Sequence, residues 1–310
     1  MEKKIIVLGM HRGGTSLTAN LLYSYGLCAG NERLLLKGNA ENPRGYWEYT
    51  PLVEFNDELL ASVEAKWSIP PSDEGYKELE RNSAESKYKE KAMGLIEDMR
   101  ESGRPWFWKD PRLAVLLPFW RNIWGNVDYV IPLRHPLDIA LSLRKRDKYP
   151  ISASLLIWQR HMLAILKETE SAQCRIFIEY ESLFKDPIEQ CERLYLFLNQ
   201  CYEPRGTRQQ IIDKMARTIA PELRNNSSNS SFLNVPQATE EQKALYSYLQ
   251  RKAQNVVQGS DQIDFSIYAG WREYLLTINA MSQLWFLLPQ QGKQLTLSRL
   301  SVTHKEQFGL

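Results

Sequence analysis

The fold of this chain is decided by the stretch Ile5-Ile6-Val7-Leu8-Gly9-Met10-His11-Arg12-Gly13-Gly14-Thr15-Ser16, an apolar run followed by a Gly-rich turn. The apolar run is typical of a short buried strand, and the residues from Leu17 to Leu22 favour a helix. Glycines let the backbone turn tightly, so that successive N–H groups and the helix N-terminus face a bound anion. The sequence therefore predicts a phosphate-binding loop between the first strand and the first helix.

This loop differs from an ATP-binding loop at one important position. The spacing from Gly9 to Gly14 is that of G-x-x-x-x-G, but Thr15 stands where a nucleotide triphosphatase has its phosphate-binding lysine. The third predicted strand also ends in Arg134, without the aspartate that helps to hold Mg²⁺ in such proteins. We expect a loop that binds a phosphate-like group, and we predict no metal site.

Short apolar segments alternate with helical segments over about the first two hundred residues, which is typical of a parallel sheet covered on both faces. The predicted strands are Lys4 to Leu8, Trp106 to Trp108, Val127 to Leu133 and Arg175 to Ile178. The predicted helices in this part are Leu17 to Tyr25, Ser86 to Arg100, Leu137 to Arg146, Ser152 to Glu168 and Pro187 to Leu198. The sequence predicts an α/β chain with a P-loop-like three-layer fold.

The C-terminal third has a different composition. An Asn/Ser-rich stretch from Asn225 to Asn234 favours a flexible loop, and helices are predicted from Glu240 to Val257 and from Tyr268 to Ser282. We therefore divide the chain into an α/β domain over residues 1–224, which contains the phosphate-binding loop, and a mainly helical C-terminal extension over residues 225–310. The extension is expected to pack on the same domain.

Composition limits the class of protein. The chain has 310 residues, of which 43% are hydrophobic, and its net charge is +2. The hydrophobic share supports a full core, and the net charge is too small for a nucleic-acid binder.

The cysteines Cys28, Cys174, Cys191 and Cys201 show no C-x-x-C spacing, so we expect reduced thiols. The apolar run after the N-terminus ends at Gly9, which is too short for a signal peptide or membrane anchor. We expect a cytoplasmic protein that binds neither nucleic acid nor membrane.

Cations follow two of the predicted strands. Ligands bind outside the carboxyl ends of strands in an open parallel sheet, so the residues that follow each strand are candidates for a site. Lys109-Asp110-Pro111-Arg112 follows the second strand, and Arg134 ends the third. Ser142 comes eight residues after Arg134, about two helical turns on. Both side chains are predicted to reach one phosphate group.

Taken together, these motifs resemble the sulfotransferase superfamily that uses 3′-phosphoadenosine 5′-phosphosulfate (PAPS), in its bacterial form. Arg12-Gly13-Gly14-Thr15-Ser16 matches the lysine-poor loop of that superfamily, and Arg134 with Ser142 matches its Arg and Ser spaced by eight. Three further segments resemble bacterial members: Asn42 to Glu48, Trp108 to Leu113 and Tyr180 to Leu183. The resemblance covers roughly residues 1 to 200.

The resemblance implies a set of cofactor contacts. Arg12, Gly13, Gly14, Thr15 and Ser16 would hold the 5′-phosphosulfate of PAPS, and Arg134 with Ser142 would hold its 3′-phosphate. Arg224 lies where related enzymes close a basic loop over the 3′-phosphate, although the usual form of that loop is missing.

The reaction implied by the resemblance is in-line transfer of a sulfuryl group to a hydroxyl, with adenosine 3′,5′-bisphosphate (PAP) as the other product. The acceptor would be a small molecule: a metabolite, a natural product or a glycoside.

The general base is open between three residues. Animal cytosolic members use a histidine in a K-T-H pattern, but the equivalent stretch here is Lys109-Asp110-Pro111. Glu48 is the first candidate, because it lies among Tyr46, Trp47 and Tyr49 in an apolar setting that suits a proton acceptor. His11, inside the loop, is the second candidate, and Asp110 is the third. Lys109 is predicted to assist the bridging oxygen.

Two other functions remain as alternatives: a P-loop kinase for a nucleotide or small molecule, and a nucleotide-binding module without catalysis.

The basic run from Arg144 to Lys148 is typical of a solvated face, yet by resemblance it neighbours the acceptor entrance. Of the tryptophans, which include Trp67, most are expected in the core and one or two beside the acceptor. The chain could be a monomer or a homodimer.

Overall fold

A computed structural model describes residues 4–39, 42, 45–100, 103–170, 172, 174–200, 202, 204–223, 231–254 and 271–287. Its sheet has four parallel strands in the order β2-β1-β3-β4. The strands are β1 (Lys4–Val7), β2 (Trp106–Lys109), β3 (Asp128–Leu133) and β4 (Arg175–Glu179). Each lies within one residue of its predicted bounds, and the α/β prediction is confirmed.

Helices cover both faces of the sheet. In chain order they are α1 (Thr15–Tyr25), α2 (Thr50–Ser62), α3 (Asp73–Asn82), α4 (Ser86–Arg100), α5 (Leu113–Trp124), α6 (Pro136–Asp147), α7 (Ile151–Glu168), α8 (Ser182–Lys185), α9 (Pro187–Asn199), α10 (Arg208–Ala216), α11 (Glu240–Ala253) and α12 (Trp271–Leu287). Short 3₁₀ turns lie at Glu32–Leu34, Pro221–Leu223 and Phe232–Asn234.

Between their charged ends the strands are apolar at successive positions, because alternate side chains enter two separate cores. In β1, Ile6 packs with Trp108 in one core, whereas Ile5 and Val7 pack with Phe107 in the other. Successive side chains of a strand point to opposite faces, so a strand covered on both faces has no solvent side. This arrangement forms the three layers that the sequence predicts.

Five helices were absent from the sequence prediction: α2, α3, α5, α8 and α10. Of these, α5 is buried on nearly all sides and contains Pro118, so its sequence shows no polar face and carries a helix breaker. Conversely, α3 is so rich in charge that few apolar residues mark its buried side. Both helices are fixed by packing against each other, which local pattern does not reveal.

The C-terminal helices lie against the sheet layer. Helix α11 contacts β3, β4 and α7, and α12 contacts α7. Leu249 and Leu275 are fully buried in the same core as Trp108. Residues 225–230 of the predicted loop lie outside the described residues, whereas Phe232 is buried in a short helical turn. In the part of the chain described, no helix is both long and apolar enough to cross a membrane.

Candidate active site

The Gly-rich loop has a backbone that its glycines make possible. Gly14 has φ of +91°, and a Cβ there would lie 2.5 Å from Cδ2 of Tyr180. A side chain at this position would meet both a strained conformation and an aromatic ring. Helix α1 follows directly with Gly14 as its N-cap, and no side chain caps it. The N–H groups of its first turn are therefore placed to receive an anion.

Arg12, Arg134 and Ser142 come together behind this loop. The Arg12 Nε donates to the Ser142 Oγ at 2.7 Å, and the Arg134 guanidinium donates to the Arg12 carbonyl at 2.9 Å. Arg134 also lies 4.8 Å from the ring centroid of Tyr180. The predicted cofactor residues on β3 and α6 thus adjoin the loop, with Ser142 buried behind Arg12.

Tyr180 begins a segment that resembles bacterial sulfotransferases, but the sequence alone predicts no role for it. It directly follows β4, lines the cleft, and packs on both Gly14 and Arg134. The rule that ligands bind at strand ends applies to β4 as well as to β2 and β3. Applied to β4, it would have identified Tyr180 from the sequence.

Glu48 and Lys109 form a buried ion pair. The Lys109 Nζ donates to the Glu48 Oε1 at 2.5 Å, and the two side chains are 1% and 8% exposed. Lys109 is the last residue of β2, and the Glu48 carbonyl accepts a hydrogen bond from Leu36 ahead of α2. Both residues line the same cleft as the Gly-rich loop. Glu48, the first candidate base, is therefore ion-paired with Lys109, the lysine predicted to assist the bridging oxygen. Its surroundings are not only the aromatic residues that the sequence indicates.

Asp110, the third candidate base, is engaged in a different network. One of its carboxylate oxygens accepts from the Asn56 side chain at 2.8 Å, and the other accepts from the backbone and guanidinium of Arg112. Asn56 in turn accepts from the Trp120 indole at 2.8 Å. Because both oxygens of Asp110 have fixed donors and the residue is fully buried, its geometry suits positioning of α2 and α5.

His11, the second candidate base, lies beside Trp67 at a ring distance of 4.5 Å. Burial, followed by the nearby cations Arg112 and Arg146, lowers the pKa of His11 well below its usual value. Its Nε2 is buried and has no hydrogen-bond partner among the described residues. His11 thus has one buried ring nitrogen that a ligand can reach with a hydrogen bond.

The cleft as a whole suits a polyanion. Its charged lining residues in the described part of the chain are Arg12, Lys109, Arg134, Arg146 and Glu48. Four cations therefore face one carboxylate, and the uncapped start of α1 adds partial positive charge. Arg12 and Arg134, which meet at the loop, together with the start of α1 fit a phosphosulfate nucleotide. Arg224, the remaining predicted cofactor residue, lies outside the described residues.

Comparison with known proteins gives the class. The model of the Sulfotransferase family matches residues 4–204. No curated protein matches the chain. A solved structure called "Sulfotransferase Domain from the Curacin Biosynthetic Pathway" is 19% identical, with a TM-score of 0.43, over 89% of this chain and 97% of that one. Since the family model covers well over half of the chain, this protein belongs to the sulfotransferase family.

Proposed function

We propose that this chain transfers a sulfuryl group from PAPS to a hydroxyl of a small acceptor, such as a metabolite, a natural product or a glycoside. The observation that supports this best is the buried Glu48–Lys109 pair in the same cleft as the anion-binding loop. A base and a cation beside an anion site are what transfer to a hydroxyl requires.

Each group has a role that follows from its position. When bound, PAPS supplies an activated sulfuryl group on a phosphate leaving group. Glu48 would accept the proton of the acceptor hydroxyl as its oxygen forms the new bond to sulfur. Lys109 would orient the carboxylate and offset negative charge near the transferred group. The loop and the start of α1 would stabilise the charge left on the phosphate when the S–O bond breaks.

The kinase alternative fits these residues less well. A kinase of this loop type uses a lysine at the position of Thr15 and an acidic residue for Mg²⁺ after a strand, where Arg134 stands. Arg134 would instead bind a second phosphate, such as the 3′-phosphate of PAPS, close to Arg12 and Ser142.

Calorimetry with PAP and with ATP-Mg²⁺ tests the cofactor. We expect PAP to bind and ATP-Mg²⁺ to bind much more weakly. Arg134→Ala should weaken PAP binding by about 2–4 kcal/mol, because the variant loses a charge-assisted hydrogen bond to the phosphate. Ser142→Ala should weaken it by about 1 kcal/mol, because only one neutral donor is lost. Unchanged PAP affinity in both variants would show that the 3′-phosphate lies elsewhere.

Turnover tests the transfer itself. Incubation with labelled PAPS and a library of hydroxylated metabolites should give sulfated products, and the activity should persist in EDTA. An absolute need for a divalent ion would favour the kinase. Tight PAP binding without turnover of any acceptor would favour a nucleotide-binding module.

A further inference from the structure

One wall of the cleft carries a cation that the transfer chemistry above does not use. Arg146 lies in the last turn of α6, four residues after Ser142, so both side chains are on the same side of the helix. Arg146 lines the cleft together with His11, Glu48 and Lys109. Arg146 therefore lies in the same cleft as Glu48, the proposed base.

Trp67 forms the flat surface beside this cation. The Arg146 guanidinium lies 5.5 Å from the ring centroid of Trp67, and His11 packs against the same ring system. Tyr149 packs on Trp67 edge to face at 6.1 Å, and its hydroxyl donates to the Asn279 side chain at 2.9 Å. His11 of the loop, Arg146 of α6 and Tyr149 thus pack around the indole, and α12 holds Tyr149 through Asn279.

Most of the hydrogen-bonding capacity of Arg146 is unused. Its Nε donates to the Asp147 carboxylate at 2.8 Å, while its terminal amino groups have no partner among the described residues. A guanidinium presents two parallel donors that match a carboxylate. The carboxylate that lines the cleft, Glu48, is already held by Lys109. Burial and then the nearby cations Arg112 and Arg146 lower the pKa of His11, which disfavours a second positive charge beside Arg146.

We propose that the acceptor is a hydroxylated carboxylic acid whose carboxylate binds Arg146, the cation that Trp67 holds at the wall of the cleft. This inference rests on the proposed sulfuryl transfer and names the class of acceptor for it. His11 Nε2, which is buried and has no partner among the described residues, is a further polar group that such an acceptor can meet. A stacked cation gives selectivity because a neutral acceptor would leave its terminal amino groups without an anionic partner, since Asp147 engages only the Nε.

The test uses acceptors in matched pairs, each acid with its methyl ester: 4-hydroxyphenylacetate, 4-hydroxycinnamate and 3-hydroxyoctanoate. With the wild-type protein and PAPS, kcat/KM should be at least about tenfold higher for the acid of a reactive pair. Arg146→Gln should lower kcat/KM for that acid by roughly 10–100-fold and leave the ester nearly unchanged. The control is Lys145→Gln, which removes an exposed cation from the same helix and should change neither.

Binding measurements separate this proposal from sulfuryl transfer itself. Calorimetry of each acid with the PAP-loaded protein should show binding that Arg146→Gln weakens, whether or not turnover occurs. Acid binding without turnover would contradict the proposed function and leave the carboxylate site supported. The carboxylate site is wrong if no acid binds, if esters serve as well as acids, or if Arg146→Gln weakens PAP binding as much as acid binding.

Discussion

At the scale of single residues, the buried Glu48–Lys109 pair is central to the proposed chemistry. Two opposite charges that are almost fully removed from water stabilise each other, and neither tolerates loss of its partner well. Both residues line the cleft that contains the Gly-rich loop. The pair is therefore best tested through catalysis and stability together.

We expect Glu48→Gln to lower kcat by roughly 10²–10⁴-fold while PAP affinity stays nearly intact, because the proton acceptor is lost and the loop is not. His11→Asn is measured beside it, with thermal unfolding of both variants to confirm that they fold. If Glu48→Gln keeps near-normal kcat and His11→Asn abolishes it without loss of PAP binding, the base is His11.

His161 gives a prediction for stability. It is fully buried in α7, its Nδ1 bonds the Ile157 carbonyl, and burial lowers its pKa to about 4. In the unfolded chain the pKa is about 6.5. Between these values the unfolded state binds more protons, so stability falls as pH drops from 6.5 to 4, by up to about 3 kcal/mol.

The measurement is denaturant unfolding of wild type and His161→Leu across this pH range. The difference in unfolding free energy between the two proteins should shift in favour of the variant as pH falls. A difference that stays constant with pH would mean that His161 is protonated in the folded state too.

At the scale of elements, the junction between β1 and α1 combines binding and packing. Gly14 occupies the N-cap position of α1 and has φ of +91°. It lies against the ring of Tyr180, which also contacts Arg134. The loop and the β4 end are thus in direct contact. A change in one of them displaces the other.

Gly14→Ala should therefore weaken PAP binding and cost about 1–3 kcal/mol of stability, since the left-handed backbone is strained and the Cβ meets Tyr180. The matched control is Gly94→Ala in α4, where a Cβ has open space. That control should stabilise the protein by about 0.5–1 kcal/mol. Calorimetry and thermal unfolding measure both, and a Gly14→Ala protein indistinguishable from wild type would disprove the packing argument.

At the scale of the whole molecule, the C-terminal helices share the core of the sheet layer. Leu249 of α11 and Leu117 of α5 are both fully buried in it, although they lie far apart in the chain. Through Asn279, α12 also holds Tyr149, which packs on Trp67 next to the cleft residues His11 and Arg146. The division at residue 225 stays a prediction about folding that these contacts make testable.

If residues 225–310 pack on the same domain, Leu249→Ala and Leu117→Ala should each cost about 2–5 kcal/mol and shift one common unfolding transition. The measurement is denaturant unfolding followed by far-UV circular dichroism and tryptophan fluorescence. A separate early transition in Leu249→Ala, with the rest of the curve unchanged, would mean that the C-terminal part unfolds independently.

The sequence by itself determined the strands, the Gly-rich loop and the family. Apolar runs bounded by turns identify buried strands, and loop residues such as Gly14 and Arg134 are adjacent to those strands in the chain. Helices α5 and α3 escaped prediction because long-range packing, and not local periodicity, makes them helical. Only the tertiary structure joined Glu48 to Lys109 and Arg146 to Trp67, since these contacts link segments far apart in sequence. Local pattern records where a chain is buried, whereas a site depends on which distant segments the fold brings together.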